Sequence, residues 1–409
     1  MVRPPVDLTP ELVNDPIRGY AGLRETAPLV SVTLPGVETP TWLLTRYDDM
    51  KKVYNDHRFV RDRSKVPGME GPGIEVRMVE AYGLPVEYLE YLTSLVLLDG
   101  KDHSRLRSKV IRTFTARRVR ELRPDVERIA DDLLKRLIEN GEGDLLHDFC
   151  YPLASTSICE LIGVDAEDQP RMCAWIRQYA FDGDSAGIKA GIEGVVGYTK
   201  ELIERRRVEP AGDLISGLLW DGEDEDLPTD KEMISLVFVL INTGHHPPAH
   251  FIANAVLTLL DNPAELVRLR AAPELLSGAI HELLRVISPV SIGASMYATE
   301  DLEFAGCPVK RGESVTSAIL AANHDPGEFG CPERLDLSRA PKRGENHVAF
   351  GYGAHYCLGA GLAKLQADIA LDRLVVQRED LRLAVGRDEL EQAHWPGEGN
   401  HLVRLPVRI

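Results

Sequence analysis

Three features of the chain predict a mainly α-helical fold with small β sheets. From about residue 102 to 289 the apolar spacing is overwhelmingly helical, interrupted at Asp213, Pro228-Thr229-Asp230 and Asn262-Pro263. Short strand-like runs flank this body, at 30–34 and 41–45 before it and near 300–320 and 380–408 after it. A glycine-rich turn at 350–359 opens into a helix-forming run at 360–367.

Taken in order, Thr9-Pro10-Glu11 reads as an N-cap followed by proline at the first helical position, where its missing N–H costs nothing. Residues 30–34 and 41–45 form two strands around the Pro35-Gly36 turn, and 46–57 form a helix. Residues 66–86 hold Pro67, Gly68, Gly71, Pro72, Gly73, Gly83 and Pro85, a long breaker-rich loop. Loops of that length inside compact chains serve as lids or binding loops. This gives a strand-containing portion to about residue 60 and a helical body over about 100–290.

Length alone, 409 residues, suggests two or three domains. The composition, 44% hydrophobic and 27% charged, is that of an ordinary globular protein, and no repeat or low-complexity segment stands out. A net charge of −17 argues against a nucleic-acid partner. The six cysteines form no C-x-x-C pair, which favours a reducing compartment over a disulfide framework. The N-terminus carries no apolar stretch and no run of about 18 apolar residues occurs, so neither a secretion signal nor a membrane anchor is expected. The expected location is cytoplasmic.

The most specific stretch is Phe350-Gly351-Tyr352-Gly353-Ala354-His355-Tyr356-Cys357-Leu358-Gly359. Glycines at 351 and 353 permit positive φ and close approach of the backbone to a flat ligand. A sulfur just ahead of a helix faces its free N–H groups, which favours thiolate over thiol. Such a thiolate is a nucleophile or a metal ligand. A buried free cysteine beside a turn accounts for a lone cysteine but not for the whole pattern.

The spacing Phe-Gly-x-Gly-x-His-x-Cys-x-Gly resembles the haem-binding loop of the cytochrome P450 family. The resemblance implies one compact haem-binding unit of the soluble bacterial kind, a monomer, in which Cys357 is the axial iron ligand of haem b. Phe350, Gly351 and Gly359 then shape the cofactor loop. Thiolate ligation pushes electron density onto the iron and favours O–O cleavage. Glu282 and Arg285, three apart on one helix face, would by themselves be a weak surface pair. They match the family's E-x-x-R, with Arg334 as third member, a structural lock behind the haem. His103 and Arg107, four apart on one face, can grip a carboxylate. The resemblance assigns them, with His355, to the haem propionates; a solvated basic face is the competing reading. At Met296 the family usually has another propionate-binding arginine. The run Arg105, Lys109, Arg112, Arg117, Arg118, Arg120 and Arg123 reads either as plain surface or as the docking face for a ferredoxin, fed by a ferredoxin reductase.

The chain departs from the family pattern within Asn242-Thr243-Gly244-His245-His246-Pro247-Pro248. Aligned on Gly244, the usual Ala-Gly-x-Asp/Glu-Thr-Thr has His246 for the acid, Pro247 for the threonine and Pro248 after it. The pair that delivers protons for oxygen cleavage is absent. Each mid-helix proline removes a donor and costs roughly 3 kcal/mol. The carbonyls of Thr243 and Gly244 lose their partners, which predicts a pronounced kink or break, or two helices meeting there, and a widened pocket.

Within the haem-thiolate class the favoured expectation is oxidative C–C or C–O coupling of an aromatic, perhaps peptidic, natural product, because coupling inserts no oxygen and a broken helix leaves room. The alternative is hydroxylation of a small or macrocyclic metabolite, with protons from substrate, His246 or water; peroxide-driven chemistry is a third route. From another class, His246 and His250 at i, i+4 have zinc-site spacing, though Pro247 stands where a general base would be and no third ligand is evident. A Cys357–His355 nucleophile lacks a third group, and the glycines do not make a dinucleotide fingerprint. Candidate substrate contacts are Asn242, Val290, Ile292, Ala294, Glu398, Asn400 and His401.

Overall fold

The computed structural model describes residues 4–9, 12, 16–33, 39–69, 76, 79–80, 83–92, 95–112, 114–178, 184–220, 227–339, 345–395 and 399–409. Pro10 and Glu11, the 34–38 turn and much of the 66–86 loop lie outside these residues. At the first of these, Thr9 Oγ1 accepts the Leu12 N–H at 3.4 Å, as an N-cap would.

A six-stranded sheet joins the N-terminal strands to two strands that follow the helical body. Its strands are β1 (Val6–Asp7), β2 (Leu29–Thr33), β3 (Thr41–Leu44), β4 (Phe59–Val60), β5 (Met296–Ala298) and β6 (Ser314–Ser317), in the order β1-β2-β3-β6-β5-β4. β2 and β3 are antiparallel with Leu29 opposite Leu44, and β5 and β4 are antiparallel with Val60 opposite Tyr297. Helix α1 (Tyr47–Tyr54) follows β3, its apolar residues Met50 and Val53 buried. Near the C-terminus a hairpin pairs β7 (Gln392–Trp395) with β8 (Gly399–Leu402), Ala393 opposite His401.

The helical body includes α2 (Gly100–Val110), α3 (Tyr151–Ile162), α4 (Asp230–Asp261), α5 (Leu276–Ile287) and α6 (Ala360–Leu371). Its apolar faces form the largest core cluster. Central to it is α4, which packs on α3, α5 and α6. A capping box between Thr229 and Glu232 starts α4, with Asp230 and Glu232 complementing the dipole in its first turn. Among the described residues, no helix is long and apolar enough to cross a membrane.

One expectation fails here. Helix α4 runs through Pro247 and Pro248 as one 32-residue element, neither broken nor restarted. Two prolines remove only the N–H groups that would reach the Thr243 and Gly244 carbonyls. The turns on both sides stay hydrogen-bonded and buried, as at Leu240, Ile241, Ala249 and Ile252. Packing along the rest of the helix outweighs the local loss.

Candidate functional site

The Cys357 loop is built as its glycines suggest. Gly351 and Gly353 both take positive φ, +73° and +71°. A Cβ on Gly353 would stand 2.9 Å from Asn55 Oδ1 and 3.0 Å from the Tyr54 carbonyl, so this turn is closed to other residues. The Cys357 N–H donates to the Phe350 carbonyl at 2.9 Å, and Arg107 donates through Nη2 to the Tyr356 carbonyl.

Cys357 is exposed, to a cavity of about 330 Å³ that Thr243, Gly244, Pro247, Pro248 and Phe251 of α4 also line. The free thiol does not behave as the helix-dipole argument expects. Desolvation pushes its pKa up and outweighs the Gly359 N–H, the Arg107 charge and the Ala360 N–H. A metal cation in the cavity, rather than the dipole, would be what deprotonates it.

One end of the cavity is rich in donors: Arg61, His103, Arg107 and His355 all line it. The His103 and His355 rings lie 4.0 Å apart. His355 Nε2 is 3.6 Å from Asp99 Oδ1, while Asp99 Oδ2 accepts the N–H groups of Arg61 and Asp62 at 2.6 and 2.7 Å. Burial holds His103 down to about 4, helped by His355 and Arg107. The buried His103 Nε2 and Arg61 Nε have no hydrogen-bond partner. An orphaned guanidinium N–H and an orphaned imidazole nitrogen beside the Arg61 and Arg107 charges call for an anionic ligand group. With the cavity-facing sulfur, they fit a flat metal macrocycle bearing carboxylates.

Glu282 and Arg285 are buried, at 4% and 1% exposure, and form a two-pronged pair at 2.8 and 2.9 Å. Arg285 also donates to the carbonyls of Asn323 and Pro332, each at 2.8 Å. The third member is not the Arg334 side chain, which is exposed and offers only its carbonyl, at 3.4 Å. Arg339 takes that place, its Nε donating to both Glu282 oxygens at 3.1 Å. The chain turns after Leu335, which is buried, so a residue five positions beyond Arg334 comes back to the pair.

The expected substrate residues divide. Val290 and Ala294 line the cavity. Asn242, Ile292, His246 and His401 are not on its wall; Ile292 packs in a separate cluster beneath the large sheet. Glu398 and the Asn400 side chain lie outside the described residues. His246 therefore does not stand over Cys357 as a proton donor. It and His250 meet His401 of β8 and Tyr151 of α3, the third ligand-type residue that i, i+4 spacing alone did not reveal. The basic run is partly neutralised: Arg105 pairs with Glu232, Arg117 and Arg118 with Glu121, and Arg123 with Asp368.

Sequence reasoning missed Tyr54, Arg61, Arg339 and Tyr151. Gly293 makes room for the first of these in the fold, since a Cβ there would stand 2.6 Å from the Tyr54 hydroxyl.

Residues 267–397 match the family model described as Cytochrome P450. The chain is 39% identical to Cytochrome P450 107B1 of Saccharopolyspora erythraea, over 95% of this chain and 94% of that protein. It is 37% identical to the vitamin D(3) 25-hydroxylase of Pseudonocardia autotrophica, over 92% and 90%. Its fold is similar to that of the ligand-free P450 monooxygenase TamI, with TM-score 0.88, 31% identity and coverage of 100% and 94%.

Proposed function

The chain belongs to the cytochrome P450 family, and from that membership we propose a haem-thiolate monooxygenase of bacterial specialised metabolism that oxidises an apolar small molecule without an acid–alcohol relay. The family's haem iron supplies the centre at which oxygen is activated. Here Cys357 would be its axial ligand on haem b, with Phe350, Gly351 and Gly359 shaping the loop. Arg61, His103, Arg107 and His355 would hold the carboxylates. Glu282, Arg285 and Arg339 would fix the loop's support. A ferredoxin and its reductase would supply electrons to a monomeric enzyme.

The observation that carries this reading is the cavity-lining part of α4. It offers Thr243, Gly244, Pro247 and Pro248 but no carboxylate, and Thr243 Oγ1 already donates to the Val239 carbonyl at 2.8 Å. The Thr243 and Gly244 carbonyls, without helical donors, can accept hydrogen bonds from ordered water or a substrate hydroxyl. Protons then come from that water or from the substrate itself. The named similarity to a hydroxylase and a monooxygenase supports oxygen insertion.

Oxidative coupling is the second reading. The missing relay favours it, because abstraction of two hydrogens inserts no oxygen. Its other motive, a broken helix making room, does not stand with α4 continuous.

The reduced, CO-bound protein should absorb at the family's red-shifted position, and Cys357→Ser should lose that band; a colourless wild type would end the haem reading. Purified enzyme with ferredoxin and reductase, offered macrocycles, small aliphatics and tyrosine peptides, should give products heavier by one oxygen. Products lighter by two hydrogens, without oxygen gain, would transfer the assignment to coupling.

A further inference from the structure

Helix α4 carries a second constellation that the Cys357 cavity does not share. His246 and His250, one turn apart, converge with His401 of the C-terminal hairpin. Ring centroids are 4.4 Å apart for His246–His250, 4.8 Å for His246–His401 and 4.2 Å for His250–His401. One ligand nitrogen from each lies within 4.8 Å of the others. His250 and His401 are each 3% exposed, and His246 is half-buried. Tyr151 Oη is 2.7 Å from His250 Nε2, while the buried His250 Nδ1 has no hydrogen-bond partner.

We propose that His246, His250 and His401 bind one first-row transition cation, zinc being the reference case, with Tyr151 as a positioning residue for His250. Neutral imidazole is the form that ligates such metals. Burial of the three rings, with no carboxylate among them, favours that form here. In the tautomer where His250 Nε2–H donates to the phenol oxygen, Nδ1 carries the lone pair and is the unpartnered atom. A second-shell oxygen fixing the distal nitrogen is how metal-binding histidines are usually oriented. An imidazole-only set selects zinc, copper, nickel or cobalt over calcium and magnesium, which require oxygen ligands.

Three protein ligands leave a fourth tetrahedral position for water. A second cavity of about 380 Å³ lies on the Tyr151 side of the cluster, lined by Tyr151, His147, His245 and Arg177 but by none of the three ligands. Bonds of about 2.1 Å put tetrahedral donors roughly 3.4 Å apart, so the imidazoles must draw slightly inward on binding. The cation would then tie the β7–β8 hairpin to α4 one residue from Pro247. It is a site separate from the haem iron and holds whatever reaction the haem performs.

The test uses tag-free, haem-loaded enzyme stripped with a chelator and titrated with Zn²⁺ alone by calorimetry. One equivalent should bind with micromolar or tighter Kd and leave the haem spectrum unchanged. His401→Ala should weaken binding at least 100-fold, and Tyr151→Phe about 10-fold, the usual loss for a second-shell partner. Should His401→Ala fail to fold, wild-type crystals soaked in Zn²⁺ should give an anomalous peak at the zinc edge between the three rings. Zinc bound only elsewhere on the surface, or a stoichiometry that survives His401→Ala, would overturn the proposal.

Discussion

Arg339 rather than Arg334 completes the buried Glu282–Arg285 cluster, and the difference is measurable. The Arg334 side chain is exposed and contributes through its carbonyl, which any residue retains. Arg334→Ala should therefore change stability by less than about 0.5 kcal/mol. Arg339→Ala removes one of two cations from a buried carboxylate, and should cost about 2 kcal/mol or more. Denaturant unfolding of both variants decides it; equal costs would restore Arg334. A second residue-level substitution concerns Met296. Continuing the β4–β5 register by one residue sets Arg61 across from Met296, and Arg61 lines the cavity with its Nε unpartnered. Met296 packs in an apolar cluster, so Arg61 is the cation at this end of the cavity that can take the family arginine's part. Arg61→Met should speed haem loss to a scavenging apoglobin by about 10-fold or more, and adding Met296→Arg should recover most of it. A double variant no better than the single would separate the two positions.

At the scale of elements, α4 shows what residue chemistry could and could not reveal. The prolines take away the i+4 donors of the Thr243 and Gly244 carbonyls, and both prolines and the Cys357 motif lie on the wall of one cavity. What failed was the step from two lost bonds to a broken helix, because helix continuity is set by burial along all 32 residues, which no local rule sees. Likewise the His246–His250 spacing was legible, whereas His401 lies on a strand more than 150 residues away. Only tertiary packing brings it in. The strands and helices with strong periodicity came out within a residue or two, as at Leu29–Thr33 and Thr41–Leu44, while 46–57 shortened to Tyr47–Tyr54. The proline effect can be isolated. Pro247→Ala restores a donor to the Thr243 carbonyl and should stabilise the protein by about 1–2 kcal/mol, less than the full helix-interior cost of about 3 kcal/mol because ring packing is lost. Pro247→Thr puts an alcohol on the cavity wall and should raise product formed per reductant consumed several-fold. An unchanged ratio would mean that protons already reach the site efficiently by another route.

Across the whole molecule, burial of neutral histidines sets the acid limit. His245, His324 and His347 lie in three separate parts of the chain, and desolvation holds each down to about 4. His245 and His324 spend one ring nitrogen on a backbone carbonyl, of Ile241 at 2.6 Å and Leu320 at 2.9 Å. Unfolding returns each to its ordinary value near 6.5. Between about pH 4 and 6.5 the unfolded chain therefore binds more protons than the folded one. By linkage, stability rises with pH across that window, is fully present above it and falls away as the solution is acidified through it. These three groups by themselves give a slope of up to about 4 kcal/mol per pH unit at its steepest, and His246 and His250, also held low by burial, steepen it further. Carboxylates held low, such as Asp56 and Asp336, lose their contribution only at lower pH, so they do not mask the effect. Urea unfolding of the haem-loaded enzyme from pH 7.5 to 4.5 should show stability flat above about 6.5 and falling steadily below it. Replacing His324, which faces the Arg285 and Arg24 charges, by glutamine should flatten the slope by about one proton; an unchanged slope would move the acid lability to other groups.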